Sequence, residues 1–163
     1  MKNNQEKFKI FLEVTKSLNS SFHVTPILFG SLGLSKILNK SIQLNDIDIL
    51  IPENLITKKW GELVDSMKNL NFELKDTKEH EFIRDLQIVN FGKEEDVFQK
   101  VGIDPRKLTI TKFHQAEFKE LSAEKFLQVY RLMLRDDYRQ EKRGDSDKQK
   151  IALIEKFLKN PQK

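Results

Sequence analysis

Apolar residues recur along this chain with two periods, and the changes of period divide it into elements. Over residues 5–21, Phe8, Phe11, Leu12 and Leu18 fall on one side of an amphipathic helix suited to packing on a sheet. Asn19-Ser20-Ser21 ends it. Residues 24–29 are an apolar run read as a strand, Gly30-Ser31 makes the turn, and a short helix passes through Leu34, Ile37 and Leu38. After a break at Asn39-Lys40-Ser41 the period becomes two. Asp46, Asp48 and Leu50 alternate with Ile47, Ile49 and Ile51, so a strand here places both carboxylates on one face and the isoleucines on the other. Pro52 closes this run.

Trp60, Leu63, Val64, Met67 and Leu70 then predict a second amphipathic helix over 57–70, with Thr57 available as its cap. Residues 71–75 and 81–84 are short strands around a polar turn at 76–79, and 86–91 continues or follows the second of them. The segment 92–107 reads as irregular, because Gly92, Gly102 and Asp104-Pro105 are turn signals. Further strands are expected at 108–111 and 116–118. Ser122 caps a helix over 123–137 that buries Phe126, Leu127, Tyr130, Met133 and Leu134. A charged loop at 138–144 separates it from a last helix over 147–158, which buries Ile151, Ile154 and Leu158.

The 163 residues suit one domain with its own core, 38% of them hydrophobic and 33% charged. Residues 1–121 form the α/β part and 122–163 a C-terminal helical pair packed on it. No apolar stretch approaches a membrane span and Met1-Lys2-Asn3-Asn4-Gln5-Glu6 lacks a signal peptide's apolar core, so the expected location is cytoplasmic, with no membrane partner. With no cysteine, disulfides and thiolate metal sites are excluded. His23, His80 and His114 lack zinc-ligand spacing, so any metal should be held by oxygen. The net charge of +4 suits attraction to phosphates, but the lysines are dispersed, and a solvated lysine-rich surface is the better reading. A nucleic-acid partner is therefore possible but not favoured.

The chemistry lies in Gly30-Ser31 and in Asp46-x-Asp48. Two carboxylates one residue apart repel unless a cation sits between them, and Mg²⁺ is commonly held by one or two carboxylates with substrate phosphates. The same pair also fits an edge strand with solvated acids. A glycine before a helix lets backbone approach a ligand, and the helix start offers free N–H groups to an anion.

Together these residues resemble the nucleotidyltransferase superfamily, in its minimal, small-molecule or antitoxin-like branch. The stretches FGSLGLSK, NDIDILIPE, HEFIRD, LSAEKFLQVYRLMLRDDYR and DKQKIALIEKFL also look like uncharacterised small proteins of Gram-positive bacteria. Some of those carry the label phosphoribosylanthranilate isomerase, which implies a (β/α)₈ barrel, and this chain has too few βαβ repeats for one.

The resemblance implies an α/β (α+β) fold: a small mixed, mostly antiparallel sheet with flanking helices and a helical C-terminal part. It implies that Gly30 and Ser31 hold a nucleoside triphosphate and that Asp46 and Asp48 bind Mg²⁺. The reaction expected is transfer of a nucleoside monophosphate to an unknown acceptor hydroxyl. The family's third acid is sought at Asp85, which otherwise is a turn residue, because the strand after it holds Gln87 and Asn90 where a carboxylate is usual. Lys142 or Lys150 could meet a phosphate, or both could face solvent. The competing readings are an inactive relative that binds a nucleotide or a protein, and a basic nucleic-acid-binding module.

Overall fold

The computed structural model describes residues 2–135 and 137–160, with backbone alone for residues 2–3 and 137–143. Helix α1, Lys2–Phe22, opens the chain. It is followed by β1 (Ile27–Phe29), α2 (Gly30–Leu38) and β2 (Ile47–Ile51). Next come α3 (Glu53–Thr57), α4 (Trp60–Asn69), β3 (Glu73–Asp76), β4 (Glu81–Arg84) and β5 (Gln87–Lys93). After these come α5 (Glu94–Val101), a 3₁₀ turn at Pro105–Lys107, β6 (Thr109–Phe113), β7 (Ala116–Glu120), α6 (Ala123–Met133) and α7 (Asp137–Lys159).

The strands form one sheet in the order β3-β4-β5-β2-β1-β7-β6. The β2–β5 and β1–β7 pairs are parallel; β1–β2, β3–β4, β4–β5 and β6–β7 are antiparallel. This is the mixed, mostly antiparallel α/β sheet expected, and it is open where a (β/α)₈ barrel would be closed and parallel.

The parity of β2 sorts the core into two layers. Ile47, Ile49 and Ile51 face a cluster with Phe11, Val14 and Leu18 of α1 and Leu63 and Met67 of α4. Leu50 faces the opposite cluster, with Leu34, Phe98, Phe126, Tyr130 and Ile154. Both faces of β2 are therefore covered, and it lies at the centre of the sheet.

Several boundaries differ from the pattern-based reading. Thr57 does not cap the helix at 57–70: it ends α3, its hydroxyl donates to Glu53 O at 3.2 Å, and α4 starts after Lys59 with no side-chain cap. The segment 92–107 contains a helix, α5, opened by Glu94, Glu95 and Asp96 and closed by Gly102 in the left-handed region. Acids in a first turn and glycine just past the last are helix signals that outweigh the turn residues around them. The loop expected at 138–144 is helical and belongs to α7. Gly144 lies buried inside that helix, where glycine costs only about 1 kcal/mol relative to alanine and is overridden by packing. Ser122 does cap α6, its Oγ accepting from Lys125 N at 3.3 Å. Among the described residues no helix is long and apolar enough to cross a membrane.

The β4–β5 hairpin closes through Asp85 and Leu86, with φ of 48° and 69°, between the paired residues Arg84 and Gln87. Two left-handed residues in succession match the twist of the flanking strands but suit Asn-Gly or Asp-Gly far better than Asp-Leu. Leu86 is also 91% exposed, so burial does not offset its strain. Leu86→Gly is expected to raise stability by about 1 kcal/mol. In a chain of this size that is a melting temperature higher by about 2–4 °C; a lower melting temperature would show that Leu86 makes a stabilising contact.

Candidate functional site

The site forms where β1 hands the chain to α2. Ile27, Leu28 and Phe29 are all buried, which fixes the path of the chain up to Gly30. Gly30 takes φ of +64°, and α2 starts there with no side-chain cap on Phe29. A Cβ at position 30 would overlap the carboxylate of Asp48, lying 2.9 Å from its Cγ. The glycine is thus required twice, by its backbone angle and by the space Asp48 occupies.

Strand pairing brings in the other members. Phe29 lies opposite Asp48 in the β1–β2 ladder, and Asn90 of β5 lies opposite Asp48 on the other side. Asp46 immediately precedes β2 and shares the parity of Asp48. The Asn90 amide nitrogen donates to Asp46 Oδ2 at 2.9 Å and to Asp48 Oδ1 at 3.3 Å. Its own Oδ1 is buried and accepts no hydrogen bond among the described residues. Behind them, Lys7 of α1 is 5% exposed, and its ammonium donates to Asn45 O at 2.9 Å and Gln87 Oε1 at 2.7 Å. This ties the segment entering Asp46 to the start of β5.

Gly30, Ser31, Asp46, Asp48 and Asn90 line one cavity of about 280 Å³, closed on another side by Tyr130 of α6 and Lys150 of α7. Lys150 is nearly buried, with its ammonium 5.4 Å from the centre of the Tyr130 ring. Four of the sequence-predicted groups therefore converge with Lys150. Lys142 lies in α7, but its side chain is outside the described residues.

Asp85 is not among them. It sits exposed in the β4–β5 turn, five residues from Asn90, or roughly 16 Å along an extended strand. The structure puts an amide, Asn90, beside the acid pair where Asp85 was proposed as the third acid. Among the described residues no third carboxylate, histidine or cysteine completes a metal-binding group with the pair. Glu94, held above the usual carboxylate range by burial, then by Glu95 and against the pull of Lys119, opens α5 and does not line the cavity.

The donor set suits a hard cation. Two carboxylates are oxygen ligands, which Mg²⁺ prefers; the Asn90 amide meets them with its nitrogen, and among the described residues no cysteine or histidine lines the cavity. Lys7 and Asn90 were not assigned roles from sequence. Lys7 stands four residues before Phe11 and seven before Val14, on the sheet-facing stripe of α1, and that spacing was its available signal.

This fold matches a known class. The crystal structure of an antigenic nucleotidyltransferase-like protein from Paracoccidioides brasiliensis superposes with a TM-score of 0.56 at 16% identity, covering 91% of this chain and 75% of that one. The chain therefore has a nucleotidyltransferase-like fold. By sequence it is 30% identical over 150 residues to the uncharacterized protein YnaI of Bacillus subtilis (strain 168), covering 92% of this chain and 96% of that protein. It belongs to the same family as YnaI. No family model matches it.

The contact between position 30 and Asp48 can be tested energetically. Gly30→Ala is expected to destabilise the protein by about 1–3 kcal/mol through overpacking. In an Asp48→Ala background the overlap is gone and only the backbone strain, about 1 kcal/mol, should remain. A double-mutant cycle by chemical denaturation should give a coupling equal to the overpacking part, about 1–3 kcal/mol, whereas additive costs would separate Gly30 from Asp48.

Proposed function

We propose that the chain binds a nucleoside triphosphate with Mg²⁺ in this cavity and transfers its nucleoside monophosphate to an acceptor hydroxyl. The observation that carries the reading is the convergence of a helix start, an acid pair and a nearly buried lysine on one cavity. The N–H groups at the start of α2, around Gly30 and Ser31, suit the β- and γ-phosphates, and Lys150 adds a positive charge near them. Asp46 and Asp48 would hold Mg²⁺, which when bound neutralises phosphate charge and lowers the pKa of an incoming hydroxyl.

The acceptor oxygen forms a bond to the α-phosphorus as the bond from that phosphorus to the β-phosphate oxygen breaks, and pyrophosphate leaves. The hydroxyl proton passes to a carboxylate of the pair. Holding the phosphates against a rigid helix start aligns the leaving group with the acceptor, which lowers the entropic part of the barrier.

A second reading, a protein that binds the nucleotide without transfer, is favoured by one observation: the group beside the acid pair on β5 is the neutral Asn90. Melting curves with ATP, CTP, GTP and UTP, each with and without Mg²⁺, test the common part of both readings. A nucleotide at 100 times its Kd should add about 2.7 kcal/mol to the wild type. The Asp46→Asn/Asp48→Asn variant should lose the metal-dependent part. No shift with any nucleotide at millimolar concentration contradicts both readings, and pyrophosphate release with the stabilising nucleotide separates transfer from binding.

A further inference from the structure

Asn90 occupies an unusual electrostatic position. Its amide nitrogen donates to two carboxylates, Asp46 and Asp48, while its oxygen is buried with no donor among the described residues. A buried acceptor without a donor is costly, so the two carboxylates set the orientation of this amide at the expense of its own oxygen. Turned by half a revolution, the amide would present its oxygen to the two carboxylates. That arrangement is repulsive when the pair is empty and favourable when a cation lies between them.

We propose that Asn90 makes the acid pair a conditional cation site: the amide holds Asp46 and Asp48 while no cation is present, and a divalent cation enters only together with a polyphosphate. This inference rests on the nucleotide reading of the cavity and specifies how that site is loaded. Its steps follow from charge and ligand count. A cation arriving alone must displace or turn an amide that already donates to both carboxylates, and among the described residues it then finds no third carboxylate, histidine or cysteine beside the pair. Mg²⁺ and Mn²⁺ take about six ligands and are commonly completed by substrate phosphate oxygens. The start of α2 and Lys150 line the same cavity and suit those phosphates. A carboxylate at position 90 would behave in the opposite way, donating nothing to the pair and adding a third negative charge that draws a cation without any nucleotide. The cation and the polyphosphate therefore bind cooperatively, and by linkage each tightens the other by the same factor.

The test combines calorimetry and nuclear magnetic resonance on the full chain. Calorimetric titrations use Mn²⁺ with and without the α,β-methylene analogues of ATP, CTP, GTP and UTP. In the wild type an analogue that binds should tighten Mn²⁺ by about tenfold or more, and Asn90→Asp should bind Mn²⁺ without any analogue about tenfold tighter than the wild type does. The side-chain amide of Asn90, assigned by its disappearance in Asn90→Asp, gives a readout that needs no altered protein. Its resonances should stay in place with millimolar Mg²⁺ alone and move when Mg²⁺ and the analogue are added together.

Wild-type protein that binds Mn²⁺ equally well with and without the analogue overturns the inference, as does an Asn90 amide that Mg²⁺ alone shifts fully. Both results leave the nucleotide reading standing. If no analogue binds, or if Asp46→Asn/Asp48→Asn binds Mn²⁺ and the analogue as the wild type does, the nucleotide reading fails and this inference fails with it.

Discussion

Two carboxylates on one face of a central strand, pressed against a residue with no side chain, are the constraint around which this molecule is arranged. Asp48 can stand where it does only because Gly30 leaves the space for it, and as a glycine residue 30 takes its left-handed backbone without the strain a side chain would add. The surrounding core fixes both: Phe29 and Asp48 are opposite in one ladder, Asp48 and Asn90 in the next, and Ile47, Ile49 and Ile51 lock the register by filling the other face. A slip of one residue would turn the acids into the cluster beneath α1 and α4 and the isoleucines toward the cavity.

Around this centre the helices do different work. On one face α1 and α4 supply packing, and α1 adds Lys7, whose ammonium fixes the approach to Asp46 through Asn45 O and Gln87. On the other face α6 and α7 supply packing and also one wall of the cavity, through Tyr130 and Lys150. The cavity therefore spans the sheet and the C-terminal helices, and Phe29, Leu34, Phe126, Tyr130 and Ile154 share one cluster beneath it. A nearly buried lysine, an uncapped helix start and an acid pair give the cavity charges of both signs, which is the pattern a polyphosphate with its counter-cation would satisfy.

Much of this was legible in the sequence where a local rule and the tertiary structure agree. The period-two alternation of Asp46 to Ile51 gave both the strand and its two faces, and Gly30-Ser31 marked the turn into α2. What escaped depended on long-range pairing. The resemblance marks both Gln87 and Asn90 as standing where a carboxylate is usual, but nothing local tells which of them meets the acid pair until β5 is placed beside β2 in parallel register, and Asp85 drew attention only because it is the nearest acid along the chain. The hairpin at Asp85-Leu86 was hidden because the turn chemistry is wrong for its geometry: no glycine or asparagine stands where both residues are left-handed. Helix α5 was hidden by the glycines that bound it, and the continuity of α7 by the glycine within it.

The central claim, that the acid pair and the start of α2 together hold a metal-bound nucleoside triphosphate, is tested most directly by a crystal structure with Mn²⁺ and an α,β-methylene triphosphate. The account predicts an anomalous Mn²⁺ peak within ligand distance, about 2.2 Å, of carboxylate oxygens of Asp46 and Asp48. It also predicts the triphosphate lying along the first N–H groups of α2 with Lys150 beside it. Triphosphate density elsewhere on the molecule, or in the cavity with no Mn²⁺ at the acid pair, would contradict it.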